Sequence, residues 1–102
     1  MKHIKRTMNY ITRNHALPIL TEQTDRFDGH SVQRELKKRY PHIFAAEVGS
    51  FATSNDPLHS FSLCFGRWLL ATFPDVIRRD GKITSNNLRD RLSSNRAWTR
   101  IR

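Results

Sequence analysis

Acidic side chains are scarce in this chain. Nine Asp and Glu stand against 18 Lys and Arg among 102 residues, leaving a formal net charge of +9 and a pI near 10.9. Such an imbalance is self-repulsive unless an anionic partner relieves it, which makes a polyanion the first partner to consider. Cysteine occurs once, at Cys64. One thiol forms no intramolecular disulfide, so a reducing compartment is expected and Cys64 is read as a small core residue. Glycine occurs four times with no glycine-rich phosphate loop. No stretch approaches the ~20 apolar residues of a membrane span, and the basic start MKHIKRTMNYITRNHALPIL has no continuous apolar segment of the secretory kind. The expectation is a cytoplasmic protein with no membrane partner.

Catalytic constellations are missing as well. The five histidines, His3, His15, His30, His42 and His59, are scattered without metal-ligand spacing, and no carboxylate or cysteine cluster accompanies them. His59 lies five residues before Cys64, the wrong offset for a nucleophile and base on one helical face. The expected protein is therefore not an enzyme and has no metal and no cofactor.

What is present begins with residues 56–73, DPLHSFSLCFGRWLLATF, the most apolar stretch. Leu58, Phe61, Phe65, Trp68, Leu69 and Thr72 recur at offsets of three and four, predicting one helix with a continuous apolar stripe. Asp56 suits its N-cap, Pro57 its first position, and Pro74 its stop. The other segments read as cover for this helix. Residues 1–13 place Ile4, Met8 and Ile11 on one side of a basic amphipathic helix. Residues 14–29, interrupted by Pro18, read as an extended connection. A second helix begins at Ser31 with Val32, Leu36 and Tyr40 inward, and Pro41 makes Tyr40 a joint. Residues 42–51 then restart a helix with Phe44, Val48 and Phe51 on one side. Asp80-Gly81 signals a turn, and residues 83–101 read as two short helices separated by Ser93 to Asn95, with Trp98 and Ile101 inward. Trp68 and Trp98 both fall on apolar stripes, favouring core packing over base stacking. The predicted fold is mainly α, a small single-domain helical fold around a central apolar helix. A basic helix and connection (1–30) precede a helical nucleic-acid-binding domain (31–102).

The last segment carries most of the surplus charge, and it has three readings. As a helix-turn-helix it would place Arg96, Thr99, Arg100 and Arg102 on or beside a recognition helix, since arginine reaches both phosphates and guanine edges. As a structural helical pair it would simply solvate an arginine face. A third reading is an adaptor or inhibitor whose basic face docks on an acidic protein.

Read together with the middle of the chain, the segment also resembles the FinO/ProQ family of RNA-binding proteins. Residues 32–47, VQRELKKRYPHIFAAE, are similar to that family's opening helix and its aromatic-Pro-x-x-Phe landmark. A Pro-Leu pair follows at Pro57 and Leu58. ITSNNLRDRL (83–92) resembles the family's serine-containing Leu-Arg-x-x-Leu segment, and SSNRAWTRI (93–101) its closing Ser-rich, aromatic and arginine helix. The resemblance covers about residues 31–101. It implies non-enzymatic recognition of structured RNA, as an RNA chaperone or antisense-type regulator. Arg89 stands at the Leu-Arg position and Arg96 and Arg100 in the closing segment. Lys82, Arg91 and Arg102 are expected as further phosphate contacts. A regulator that binds DNA by a helix-turn-helix is the alternative.

Overall fold

The computed structural model describes residues 7–23 and 26–101. Its elements run α1 (Arg13–Glu22), β1 (Phe27–Asp28), α2 (Gly29–Arg39), α3 (Pro41–Gly49), α4 (Pro57–Thr72), β2 (Ile77–Asn86) and β3 (Leu92–Arg100). The strands form one antiparallel sheet in the order β1-β3-β2, so the fold is α+β. The expectation of a mainly α-helical protein is overturned by β2 and β3, which replace the two C-terminal helices. The reason is local. Leu88 and Leu92 have helical spacing, but Leu92 is 76% exposed at the start of β3 and supplies no buried stripe for a helix.

The central helix forms as predicted. The Asp56 carboxylate accepts from the His59 backbone N–H at 3.3 Å, Pro57 occupies the first turn, and the helix ends at Phe73 just before Pro74. Phe61, Cys64, Phe65, Trp68 and Leu69 are buried along it. Its aromatics continue a chain of ring contacts from Phe44 through Phe61, Phe65 and Trp68 to Phe73, at centroid spacings of 5.2 to 5.8 Å. Each fully buried ring contributes about 1.5–3 kcal/mol, which makes this row the energetic centre of the fold.

α2 and α3 meet at Tyr40, as the proline after it requires, although α2 starts two residues before Ser31 with Asp28 as its cap. α1 corrects the expected connection. Pro18 lies inside it, yet Ala16, Ile19 and Leu20 are completely buried, and their burial outweighs the one backbone hydrogen bond that proline removes. The basic helix expected over 1–13 is also corrected where it is described. Residues 7–12 are not helical, because the backbone N–H groups of Asn9, Tyr10 and Ile11 donate instead to the buried carboxylate of Glu47 on α3, at 3.1, 2.8 and 2.9 Å. Residues 1–6, at the start of that expected helix, lie outside the described residues.

Asp80-Gly81 does not turn the chain but bulges β2. The register shifts between Arg79 and Lys82, with Gly81 at φ 75, a conformation glycine adopts without steric cost. The chain reverses at 87–91 instead. There the Asn87 side chain accepts from the Arg89 and Arg91 backbone N–H groups, and Asp90 takes the left-handed conformation at φ 58. Among the described residues no helix is long and apolar enough to cross a membrane.

Candidate nucleic-acid interface

The long β2–β3 hairpin returns over the helices. Three contacts pin it there. The Arg34 guanidinium on α2 donates to the carbonyls of Asn86 and Asn87, the Arg89 guanidinium donates to both carboxylate oxygens of Asp56 at the head of α4, and Ser85 meets Asp28 and His30 at the head of α2. Between the hairpin and α4 lies a half-open groove of about 630 Å³.

Its lining mixes apolar, neutral polar and cationic side chains. Leu58, Leu63 and Leu70 from α4 face Leu88 from the hairpin, while Arg67, Arg79, Arg89 and Arg96 converge from α4, β2, the turn and β3. No carboxylate lines the groove. Arg67, Arg79 and Arg96 make no hydrogen bond or ion pair to a described residue through their guanidinium groups, and Arg96 stands directly across the ladder from Lys82. Like charges at directly paired positions destabilise a sheet, so this face carries a cost that a bound anion removes. Arg89 differs: its grip on Asp56 raises its own pKa, and that hydrogen bond, with the one from the His59 N–H, holds the Asp56 carboxyl down to about 2.

Polar contacts brace the helices and the hairpin around the groove. Ser62 Oγ donates to Gln33 Oε1 at 3.2 Å, and Gln33 is 1% exposed. Ser85 Oγ donates to Asp28 Oδ2 and lies 2.9 Å from His30 Nδ1, which is 3.6 Å from the same carboxylate oxygen. With the Ser85 proton on Asp28, the network assigns the His30 proton to Nδ1 and leaves Nε2 as an acceptor. Burial lowers the His30 pKa; the Asp28 carboxylate opposes that shift and Arg34 adds to it, so the ring is neutral at pH 7. Ser, His and Asp meet here, but Ser85 and Asp28 approach the same imidazole nitrogen. A proton relay needs one on each side, so this trio braces the hairpin and does not activate a nucleophile. Among the described residues no group of three or more His, Cys, Asp or Glu is placed to hold a metal ion.

The residues chosen from sequence are divided by this geometry. Arg89 and Arg96 line the groove. Lys82 is exposed on β2 beside Arg96, and Arg91 is exposed at the end of the hairpin turn. Arg100 sits apart, donating to the Gln23 carbonyl at 3.2 Å, and Arg102 lies outside the described residues. Arg96, Thr99 and Arg100 occupy a strand, so no recognition helix forms there. The segments 83–92 and 93–101 that resemble FinO/ProQ proteins are likewise strands and their turn, not a closing helix. Sequence reading missed Arg67, Arg79, His30 and Gln33. Arg67 had a signal, since it falls off the apolar stripe of α4; the other three join the site only through tertiary packing. Trp68 and Trp98 are both buried, at 7% and 3% exposure, as the apolar pattern indicated.

Comparison with protein-family models, with curated proteins and with solved structures finds no match for this chain.

Proposed function

We propose that this protein binds nucleic acid without catalysis, that its ligand is structured RNA, and that it acts in the cytoplasm as an RNA chaperone or antisense-type regulator. One observation carries the reading: four arginines from four separate parts of the chain converge on a concave groove that no carboxylate lines. Guanidinium groups pair with phosphates in a forked geometry, and the leucines beside them suit a strand whose bases are unstacked. The resemblance over residues 31–101 points the same way through its N-terminal half, where α2 and α3 are helices joined at Tyr40-Pro41.

A regulator that binds duplex DNA is favoured by a different observation. A helix, α4, is followed by a basic hairpin that flanks it, and a duplex can seat a helix in the major groove with the hairpin on its backbone. Yet α4 turns Leu58, Leu63, Leu70 and Ala71 toward the groove, with Arg67 and His59 as its charged or titratable groups there. That face offers few donors for reading base edges, so RNA comes first. Fluorescence anisotropy with a stem-loop bearing a single-stranded tail and with a blunt DNA duplex separates the two. Arg79→Ala and Arg96→Ala are each expected to weaken the stem-loop complex and to flatten its salt dependence by about 0.7–0.9 for every phosphate left unneutralised. Preference for the duplex would transfer the groove to the DNA reading; no binding to either near 100 mM salt would leave an acidic protein surface as the partner.

A further inference from the structure

The sheet is incomplete beside the groove. β1 pairs with β3 at Phe27↔Trp98 and Asp28↔Ala97, and at Gly29 the chain leaves the sheet for α2. From Leu92 to Arg96, β3 is paired with β2 on one side, and among the described residues no strand pairs with it on the other. Ser93, Ser94, Asn95 and Arg96 all line the groove, whereas β2 itself contributes only Arg79. Successive strand residues point to opposite faces, so a groove reached by four in a row lies along the edge of the strand and not over one face. That edge is the one β1 leaves open.

The ladder fixes which backbone groups the edge presents. The Asn87 N–H donates to the Arg91 carbonyl at 2.9 Å, closing the hairpin. Antiparallel pairs alternate between bonded and non-bonded, so Ser85↔Ser93 and Ile83↔Asn95 exchange hydrogen bonds, and Leu92, Ser94 and Arg96 turn their N–H and C=O groups away from β2. In agreement, the Arg96 N–H is held by the Asn95 side chain, at 3.1 Å. Open edges are ordinarily blunted by prolines, bulges or charge. β2 has its bulge between Arg79 and Lys82, but β3 from Leu92 to Arg96 has no bulge, no proline and one charge, Arg96.

An unpaired strand edge in a groove accepts another strand: main-chain hydrogen bonds give affinity, and alternate side chains give specificity. The surroundings define that specificity. Leu58, Leu63 and Leu70 line the groove from α4, with Leu63 52% exposed, and Arg67 and Arg79 join Arg96 there without a carboxylate. Like charges at opposed strand positions repel, so a strand bearing Lys or Arg is rejected beside Arg96 and one bearing carboxylates is favoured.

We infer that the open edge of β3 binds an extended peptide of a partner protein, with carboxylates alternating with apolar side chains, as a fourth strand of the sheet. This goes beyond RNA binding and does not rest on it, because backbone groups of β3 set the geometry. A peptide seated there covers Arg96 and competes with any polyanion for it.

The test uses the full chain and two end-blocked octapeptides: one alternating Glu and Val, and the same peptide N-methylated throughout, which keeps the carboxylates but has no N–H to donate. The first is expected to bind at least about tenfold more tightly, the worth of a net main-chain hydrogen bond or more. In amide exchange Ser94 should exchange rapidly in the free chain and become protected with the first peptide, while Ser93 and Asn95 are protected throughout. Ser94→Pro removes an edge donor without taking a bond from the β2 ladder, so it should keep the native melting transition and lose the preference between the peptides. Arg96→Ala should weaken both peptides alike. Equal affinity for the two peptides, no binding of the first, or a Ser94 amide left unprotected by it overturns the strand addition, and the parent chain alone decides these. A stem-loop RNA that protects Ser94 where the peptide does not would assign the edge to RNA. The stem-loop anisotropy decides RNA binding separately.

Discussion

Removal of the Glu47 carboxylate is expected to release the N-terminal segment from the body of the protein. Glu47 is fully buried on α3, and it accepts three backbone hydrogen bonds from consecutive residues, Asn9, Tyr10 and Ile11. A hydrogen bond to a charged group contributes about 1.5–3 kcal/mol, but the three do not add, because the segment can leave and give its N–H groups to water. The release then costs the burial of Ile11, about 1.5–3 kcal/mol, together with the partial burial of Met8 against the core. Against this, freeing residues 7–12 recovers backbone entropy of about 1–2 kcal/mol per residue, so detachment is the cheaper response. Glu47→Ala should therefore lower stability by about 2–4 kcal/mol, with much of the loss confined to this segment. Glu47→Gln should fall between: the amide oxygen still accepts from Tyr10 and Ile11, while its NH₂ group meets the Asn9 N–H as donor against donor. Urea denaturation measures the global loss, and amide exchange at Tyr10 and Ile11 measures the local one. A Glu47→Ala protein within about 0.5 kcal/mol of the parent, the range of ordinary surface substitutions, and with unchanged protection at those amides, would refute the clip.

Asp56→Asn should keep α4 capped, since asparagine caps about as well as aspartate, but should free Arg89 from its ion pair; stem-loop affinity is expected to rise a few-fold, and an unchanged or lower affinity in anisotropy titrations would show that Arg89 does not reach RNA. In the parent protein the Asp56 contribution is fully present above the ordinary aspartate range and is lost as pH falls toward about 2, so this ion pair does not respond to physiological pH. His30 does respond near neutrality. Its folded pKa lies below 6.5, so the unfolded chain takes up the proton first and stability falls as pH drops from 6.5 toward the folded value. Thermal melts between pH 7.5 and 5 should show that slope in the parent protein and a shallower one in His30→Asn; identical slopes would count against the buried, neutral ring.

Sequence alone was enough for the parts of this fold that carry their own punctuation. Asp56-Pro57 and Pro74 bracket α4, and Tyr40-Pro41 separates α2 from α3, because caps and prolines act within a few residues of where they stand. α1 was hidden by Pro18, whose local cost is outweighed by burial of Ile19 and Leu20, a tertiary term invisible along the chain. The hairpin was hidden for the opposite reason. Beyond Arg79, β2 carries one large apolar residue, Ile83, and β3 opens on the exposed Leu92, so the apolar alternation that marks a strand is absent over most of its length. The pairing is nonetheless continuous from Lys82↔Arg96 to Asn86↔Leu92. Arg89 and Arg96 were legible from charge; what surrounds them was not, because it comes from four elements distant in sequence.

Most arginines away from the groove are tied to the fold, Arg78 and Arg91 being the exposed exceptions among the described residues. Arg39 bridges Glu22 and Glu35, Arg13 donates to the Thr72 carbonyl and lies 4.8 Å from the Phe73 ring centroid, and Arg26, Arg34 and Arg100 each cap backbone carbonyls. These five guanidinium groups serve the fold. Arg67, Arg79 and Arg96 do not: they line one groove, with Lys82 paired to Arg96 across the ladder. An exposed cation with water on all sides costs little, but several focused on a low-dielectric groove raise the local potential and repel one another. A surface that is only solvated has no reason to accept that repulsion. A strand of phosphates laid along the groove would relieve it.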